Sequence, residues 1–330
     1  MTKIAGPVPP VRDPGRPSPT PGRFASARQF GTVIGLVALS TGLWILTPHF
    51  LTVSNLLNVV EQTSINAIVA VGLTFVILSG GIDLSVGSLV ALSGVVLGSL
   101  LHAGQPLAMA LAAALVVGAA SGVANGALVS WGGLPPFIAT LGMMSIARGA
   151  ALVFTEGRPV SGFEPAFRVL ATGRVALIPA PVIVMVLTYI VAHLVLTRTT
   201  FGRYVYAIGG NEEATRLSGV SIRFHKTMVY GVSGVTSAIA AIILTARLNS
   251  AQPIAGMMYE LDAIAATVIG GTSLTGGEGT LGGTLVGALI MGVLRNGLNL
   301  LGVSSFLQQI IIGAVIVVAV LVDTVLKRRR

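Results

Sequence analysis

Long apolar stretches, separated by short polar segments, follow one another along the chain from about residue 30 to residue 323. Most of them run for about 17 to 25 residues, the length at which an α-helix crosses the hydrocarbon layer of a bilayer. A soluble protein of this size would instead show many short amphipathic stretches. The pattern therefore predicts an all-α polytopic membrane protein with about ten transmembrane helices.

The predicted transmembrane helices are delimited by the polar segments between them. They cover residues 30–47, 56–79, 84–102, 107–130, 136–155, 177–197, 227–246, 261–275, 280–300 and 304–323. An even number of crossings returns the C-terminus to the side of the membrane on which the chain began.

The basic residues indicate which side that is. Most of the 20 lysines and arginines lie before the first span, between the sixth and seventh spans, or at the end of the chain. They are Lys3, Arg12, Arg16, Arg23 and Arg28, then Arg198, Arg203, Arg216, Arg223 and Lys226, and finally Lys327, Arg328, Arg329 and Arg330. The positive-inside rule assigns all three segments, and so both termini, to the cytoplasm. Arg158, Arg168 and Arg174 fall in a predicted outer loop and do not follow the rule.

Composition supports the same interpretation and excludes several classes of protein. Only 9% of the residues are charged and 53% are apolar, whereas about a quarter of the residues in a soluble domain are charged. The net charge of +9 does not predict nucleic-acid binding, because the basic residues are not interleaved with aromatic ones. The chain has no cysteine, which excludes disulfides, thiolate metal sites and thiol nucleophiles.

The chain divides into one long transmembrane domain and two short polar ends. Residues 1–28 are rich in proline, glycine and arginine and predict a disordered cytoplasmic tail. Residues 29–326 form the transmembrane domain, which contains a cytoplasmic loop at residues 198–226. Residues 327–330 form a basic cytoplasmic tail.

Glycines are placed at regular intervals within the apolar stretches. They recur every fourth residue at Gly118, Gly122 and Gly126, at Gly279, Gly283 and Gly287, and at Gly94 and Gly98. Small residues at this spacing let helix backbones approach closely in lipid, so we expect tight helix packing at these positions.

Two segments share a Gly-Gly-x-x-Leu-Ser/Thr pattern, Gly80–Ser85 and Gly270–Thr275. Each ends one predicted span and precedes a glycine-rich one. Glycine-interrupted segments in both halves of a transporter are a sequence indication of a mid-membrane pathway. Chance similarity between glycine-rich stretches is the alternative.

No catalytic constellation is present in the sequence. There is no Gly-Lys pair and hence no P-loop, and the four histidines stand singly without metal-ligand spacing. The acidic residues do not form a general acid and base pair. We therefore expect no catalytic residue, no metal site and no bound cofactor, and any uphill transport must draw energy from a partner or an ion gradient.

Several long strings resemble one family of proteins. They are LSGGIDLSVGSLVALSG at 78–94, PPFIATLGMMSIARG at 135–149, FGRYVYAIGGNEEATRLSGVSI at 201–222 and the glycine-rich stretch at 248–305. Together they resemble the permease subunit of bacterial ribose-type sugar importers of the ATP-binding cassette class. The resemblance runs from about residue 35 to Asp323.

The resemblance implies an importer of a monosaccharide or related polyol in the bacterial cytoplasmic membrane. Its expected partners are membrane lipid, a second permease copy forming a homodimer, an extracytoplasmic sugar-binding protein and a cytoplasmic ATPase, which would hold the ATP and Mg²⁺. An ion-coupled secondary transporter and an integral-membrane sugar transferase are the alternatives. The secondary transporter would work without ATP, and the transferase would need an acidic or metal-binding loop.

The pathway candidates are the polar residues at the two Gly-Gly segments, namely Asp83, Ser85, Ser273 and Thr275. An acid between two apolar spans must find a partner or water. Asp83 or Ser85 could instead cap the next helix. Both interpretations, pathway lining and helix capping, stay open on the sequence.

A short helix is predicted within the cytoplasmic loop, from about Glu212 to Ser218. Asn211 suits the N-cap, Glu212 and Glu213 suit the first turn, and Gly219 suits the left-handed stop. Ala214 and Leu217 would form an apolar knob beside Arg216, with Val220 and Ile222 just beyond it. The resemblance implies that this helix couples the permease to the ATPase; a solvated loop is the alternative.

Three charged residues lie near the predicted outer ends of the spans. Glu260 and Asp262 are expected at the outer mouth, where they could contact the binding protein, accept sugar hydroxyls or form a solvated loop edge. Arg148 is expected to snorkel to the interface or to pair with an acid.

Overall fold

A computed structural model describes residues 22–328. This part of the chain consists of α-helices joined by short loops and of strands of two residues each. The helices are α1 (Gly22–Leu46), α2 (Val53–Leu78), α3 (Val86–His102), α4 (Leu107–Ser130), α5 (Pro136–Thr155), α6 (Pro165–Thr172), α7 (Ala180–Arg198), α8 (Thr200–Gly210), α9 (Glu212–Leu217), α10 (Ile222–Leu248), α11 (Tyr259–Ile269), α12 (Leu281–Leu300) and α13 (Ser305–Arg328). The strands are β1 (Val160–Ser161), β2 (Arg174–Val175), β3 (Ile178–Pro179) and β4 (Ser250–Ala251).

Each predicted span overlaps a helix of the structure, and the prediction of an all-α polytopic membrane protein is confirmed. Six helices of the described range, α2, α4, α5, α7, α10 and α12, are long and apolar enough to cross a membrane. Shorter apolar stretches lie in α1, α3 and α13.

The predicted span at 261–275 is wrong in its extent. Its helix, α11, has 11 residues, which rise about 16 Å, well short of the roughly 30 Å of a hydrocarbon layer. Glycines end it early, because Gly271, Gly276 and Gly277 all have positive φ angles that leave the helical region. The remaining segment, up to α12, is not helical.

Two further boundaries differ from the predictions. The helix α1 begins at Gly22, inside the stretch predicted as a disordered tail, where alanine and arginine favour a helix; residues 1–21 lie outside the described range. The predicted loop at 198–226 is mostly helical, since α8 and α9 fill it and α10 begins at Ile222. The predicted basic tail at residues 327–330 begins inside α13, which ends at Arg328. Arg329 and Arg330 lie outside the described range.

The segment between α5 and α7 folds over one end of the bundle. Strand β1 pairs antiparallel with β4, and β2 pairs antiparallel with β3. Between them, α6 buries Phe167 and Ala171 against Ile242 and Ala246 of α10. This packing connects the segment to the bundle.

The core lies along α2 and α10. Every residue of α2 from Ala67 to Leu78 is buried, and α2 packs against α7, α11 and α12 as well as α10. The helices α4, α5 and α7 instead expose large apolar side chains, among them Val116, Ile146 and Val191. Such surfaces suit contact with lipid.

Tight helix packing at the regularly spaced glycines is confirmed. A Cβ atom added to Gly118 or Gly122 of α4 would lie 2.4 or 2.2 Å from a backbone oxygen of α10. One added to Gly287 of α12 would lie 1.9 Å from the Ala266 oxygen of α11. Gly279 is the exception, because it precedes α12 and has a φ angle of +152°.

Candidate functional site

The two Gly-Gly segments meet in the fold. The N–H of Gly277 donates to the carbonyl of Leu78 at 2.9 Å. Gly209 of α8 lies against the same carbonyl, since a Cβ added there would be 1.8 Å from the Leu78 oxygen. The hydroxyl of Tyr206, also on α8, donates to the Gly279 carbonyl at 2.8 Å. We call this contact of Leu78–Gly81, Gly276–Gly279 and Gly209 the glycine junction.

Asp83 follows the junction and is fully buried, with 0% of its surface exposed. Its Oδ1 accepts from the backbone N–H of Ser85 at 2.9 Å and from the Ser85 hydroxyl at 2.6 Å. Its Oδ2 accepts from the Ser233 hydroxyl at 2.8 Å, and the Asn125 amide donates to Ser85 Oγ at 2.9 Å. The bond from the Ser85 N–H holds the turn before α3, but neither Asp83 nor Ser85 accepts from an N–H of the first turn of α3, so the capping geometry expected of these two side chains is not formed.

Ser273 and Thr275 form the corresponding pair on the second segment. Their hydroxyl oxygens are 2.7 Å apart, and the Thr275 N–H donates to Ser273 Oγ at 3.3 Å. Ser273 is buried, whereas Thr275 is exposed. Of the four pathway candidates, Thr275 therefore has the most open surface.

The short helix α9 runs from Glu212 to Leu217, which confirms the predicted helix. Asn211 Oδ1 accepts from the Ala214 N–H at 2.9 Å, and Gly219 has a φ angle of +84°. The predicted start signal and the predicted stop signal of this helix therefore both have the expected geometry.

Charges on α9 are paired locally. Glu213 bonds to Arg216, one turn along the helix, and raises the pKa of the guanidinium through that bond. Glu212 bonds to Lys226 of α10 at 2.6 Å. Leu217 is 78% exposed and Ala214 is exposed beside it, but Ile222 is buried. The predicted knob therefore does not include Ile222, which packs in α10.

A continuous stretch of chain links α9 to the glycine junction. The helix α8, which contacts Leu78 and Gly277 through Gly209 and bonds to Gly279 through Tyr206, ends at Gly210, and Asn211 caps α9 immediately afterwards. The chain therefore runs from α9 through α8 to the junction without an intervening loop longer than Asn211.

Two ion pairs lie at the other end of α2. Both oxygens of Asp262 accept from Arg295 Nη2, at 3.0 and 2.7 Å, and Asn66 Nδ2 donates to Asp262 at 3.2 Å. Arg247 Nε is 3.3 Å from Glu61 Oε1. Asp262 is only 4% exposed, which leaves little of it for a docking protein or a solvated loop edge.

Sequence reasoning missed Asn66, Arg247 and Arg295. The only signal was the presence of charged residues in apolar spans, which must find partners. Those partners lie on different helices, and Asn66 is 196 positions from Asp262. Their pairing therefore could not be read from local spacing.

Arg148 interacts electrostatically with an acid, Glu260, and also bonds to the backbone. Its Nη1 donates to the carbonyls of Pro253 and Ala255, each at 2.7 Å. It thereby fixes the loop between α10 and α11. Glu260 is half-buried, and its Oε2 lies close to Gly87 of α3, since a Cβ added there would be 2.5 Å away.

The described residues contain no group of three or more histidines and carboxylates that could hold a metal ion.

Comparison with known proteins gives a consistent result. The model of the family described as "Branched-chain amino acid transport system / permease component" matches residues 55–320. The ribose import permease protein RbsC of Escherichia coli (strain K12) is 51% identical over 296 residues, which cover 88% of this chain and 92% of that protein. The protein of the same name from Bacillus subtilis (strain 168) is 48% identical over 90% of this chain and 92% of its own.

A more distant relative is the D-allose transport system permease protein AlsC of Escherichia coli (strain K12), 39% identical over 91% of this chain and 93% of its own. No solved structure matches the chain.

Proposed function

The chain belongs to the branched-chain amino acid transport system / permease component family, and from that premise we propose that it is the permease of an ATP-driven ribose importer. It is a transport subunit without a catalytic step of its own, and it is a multi-pass protein of the inner membrane. The observation that carries the substrate is the 51% identity with a ribose import permease over nearly the whole of both chains.

The choice of ribose among sugars follows the order of identities. Relatives named for ribose are 48 to 51% identical, whereas those named for allose and xylose are 39% and 34% identical. Transport of another monosaccharide or a polyol is the broader form of the proposal.

The distribution of basic residues along the chain supports a topology of ten crossings with both termini in the cytoplasm. The eighth crossing consists of α11 together with the non-helical segment that follows it. Asn66 is bonded to Asp262 and Leu78 to Gly277, so this segment runs alongside α2 for about 18 Å, the rise of 12 helical residues. Non-helical backbone at this depth is tolerated where protein covers it.

A permease of this family works with an ATPase and a substrate-binding protein. In our proposal the second half of the pathway is another copy of this chain, and lipid covers the apolar faces of α4, α5 and α7. ATP and Mg²⁺ are held by the ATPase, and this chain binds no cofactor.

Coupling follows from the connection between α9 and the glycine junction. The ATPase would hold the exposed Leu217 face of α9, so that its closure displaces α9 and α8 together. Because Gly209 contacts Leu78 and Gly277, and Tyr206 bonds to Gly279, that displacement would shift the two sides of the glycine junction against each other. If the junction has one stable position before this shift and another after it, the pathway can open first to one side of the membrane and then to the other.

The test is reconstitution of the chain in vesicles with its ATPase and binding protein, followed by uptake of labelled ribose, allose and xylose. We expect ribose uptake that requires ATP and stops with an ATPase that cannot hydrolyse it. Uptake driven by an ion gradient without ATP would overturn the proposal in favour of a secondary transporter. ATP-dependent uptake of allose or xylose in preference to ribose would overturn the substrate alone.

A further inference from the structure

A polar recess lies between α2, α11 and α12, beside the Asp262–Arg295 pair. Its polar wall consists of Gln62, Thr63, Asn66, Asp262 and Arg295. It encloses about 40 Å³, and since a water molecule needs about 10 to 15 Å³ on this measure, two or three water-sized groups fit. Gln62 is exposed and Arg295 is 41% exposed, so the recess is open on their side.

Two residues of this wall each have a buried oxygen without a hydrogen-bond partner in the described chain. The oxygens are Thr63 Oγ1 and Asn66 Oδ1, and Thr63 is only 4% exposed. Buried polar atoms are nearly always hydrogen-bonded, to protein or to another molecule. Gly292 lets the Thr63 hydroxyl lie directly against the backbone of α12, because a Cβ added at Gly292 would lie 1.8 Å from Thr63 Oγ1. The recess therefore has hydrogen-bonding capacity that the protein does not use.

The charges of the wall favour an uncharged ligand. Asp262 and Arg295 neutralise each other, so an anion would meet the carboxylate and a cation would meet the guanidinium. Together with Thr63 and Asn66, the pair offers both donors and acceptors within a few ångströms. A hydroxyl group is itself one donor and an acceptor, so two adjacent hydroxyls match this wall in number and chemistry.

The position of the recess indicates what reaches it. Charged side chains within apolar spans face the bundle interior or a water-filled cavity, and they mark substrate pathways. The exposed side of Arg295 therefore faces water or a second copy of the chain and not lipid.

We infer that the polar recess binds two adjacent hydroxyl groups of the transported sugar, while the rest of the sugar lies on the open side beside Gln62 and Arg295. This inference rests on the proposed function, since it assigns a binding site within the permease for the substrate of that transport.

The absence of cysteine from the chain permits a direct test. We would make Thr63→Cys as a single-cysteine permease, assemble it with the ATPase and binding protein in nanodiscs, and measure its labelling by a small thiol reagent with and without ribose. Gln105→Cys, in the exposed loop between α3 and α4, is the matched control. Ribose should slow labelling at position 63 about threefold or more, in line with occupancy of a weak site, and leave position 105 unchanged.

The outcomes separate the inference from the proposed function. Equal labelling of Thr63→Cys with and without ribose, in an importer that takes up ribose, would overturn the recess assignment alone and leave a water-filled pocket. No labelling at position 63 would overturn it too, because a sugar hydroxyl could not enter where the small reagent cannot. If Thr63→Cys is not recovered, Gln62→Cys at the rim replaces it, with protection again expected and its absence again decisive. Failure of the wild-type importer to take up ribose would refute the substrate and this inference together.

A second measurement uses Thr63→Val, which keeps the shape and removes the hydroxyl. Loss of one hydrogen bond should raise the ribose concentration for half-maximal uptake about two- to tenfold. The affinity of the isolated binding protein for ribose is the control and must not change. An unaltered half-maximal concentration would contradict a contact between Thr63 and the sugar.

Discussion

Asp83 and Asp262 are two buried carboxylates near opposite ends of α2, and the protein holds them in different ways. Asp83 accepts only from neutral groups, a backbone N–H and two hydroxyls, and has no exposed surface. Asp262 is nearly as buried but pairs with a half-exposed arginine beside two oxygens that have no partner. Burial alone therefore does not tell the two carboxylates apart, and each lies near buried oxygens without a partner, Asn125 Oδ1 near Asp83 and Thr63 Oγ1 and Asn66 Oδ1 near Asp262. What differs is the donor, because Asp83 accepts from neutral groups and Asp262 from an arginine that is 41% exposed.

The largest effect on folding is expected for Asp83→Leu. This change leaves the Ser85 N–H and the Ser85 and Ser233 hydroxyls without their acceptor, at about 1 to 3 kcal/mol for each buried group that stays unpaired. We expect most of the assembled permease to be lost, as measured by size-exclusion chromatography of detergent extracts.

Asp83→Asn is the matched control, because its amide oxygen can still accept from Ser85. It should assemble nearly normally. If Asp83→Asn assembles fully but transports nothing, the result supports the pathway role of Asp83 over capping. If it is lost like Asp83→Leu, the negative charge of Asp83 is needed for folding, and the difference drawn between Asp83 and Asp262 does not hold.

An intermediate effect is expected for Gly209→Ala at the glycine junction. The new Cβ would lie 1.8 Å from the Leu78 oxygen, so α8 must move, and overpacking of this kind costs about 1 to 3 kcal/mol. Thermal unfolding in detergent should show a lower midpoint.

The neighbouring residue provides the control, since a Cβ added to Gly210 meets nothing within 4 Å. Gly210→Ala should therefore unfold at the wild-type temperature or slightly above it, because alanine favours a helix. Equal midpoints for the two variants would show that the contact between α8 and Leu78 does not contribute to stability.

The sequence predicted much of the fold and less of the site. Apolar length sufficed to locate each span, and the cap and stop signals at Asn211 and Gly219 sufficed to locate α9, because these features are local. The meeting of Leu78 with Gly277 and the pairing of Asp262 with Arg295 depend on which helices pack together. No local periodicity records that, and glycines gave only the general expectation of close packing.

A smaller effect on stability is expected for Arg295→Met. Removing one partner of a buried ion pair typically costs about 3 to 5 kcal/mol. Because Arg295 is 41% exposed, water screens the pair, and we expect about 1 to 2 kcal/mol from the same unfolding measurement.

The double variant Asp262→Asn/Arg295→Met removes both charges and should recover most of the lost stability, since no unpaired carboxylate remains. It should still transport ribose poorly if the recess binds the sugar. A double variant that is stable and transports normally would mean that the Asp262–Arg295 pair is only structural.

The smallest effect on stability and the clearest effect on function are expected for Leu217→Asp. Leu217 is 78% exposed in the permease alone, so a charged residue there costs the isolated fold almost nothing. In a docking groove of the ATPase, the same carboxylate would be buried without a partner, which costs several kcal/mol, and about 2.8 kcal/mol already weakens binding a hundredfold. Capture of the ATPase by the permease and substrate-stimulated ATP hydrolysis should both be lost. Leu217→Met, which keeps the apolar surface, should preserve them. If Leu217→Asp assembles, binds the ATPase and stimulates hydrolysis like the wild type, α9 is not the docking element, and the connection from α9 through α8 to the glycine junction has no role in coupling.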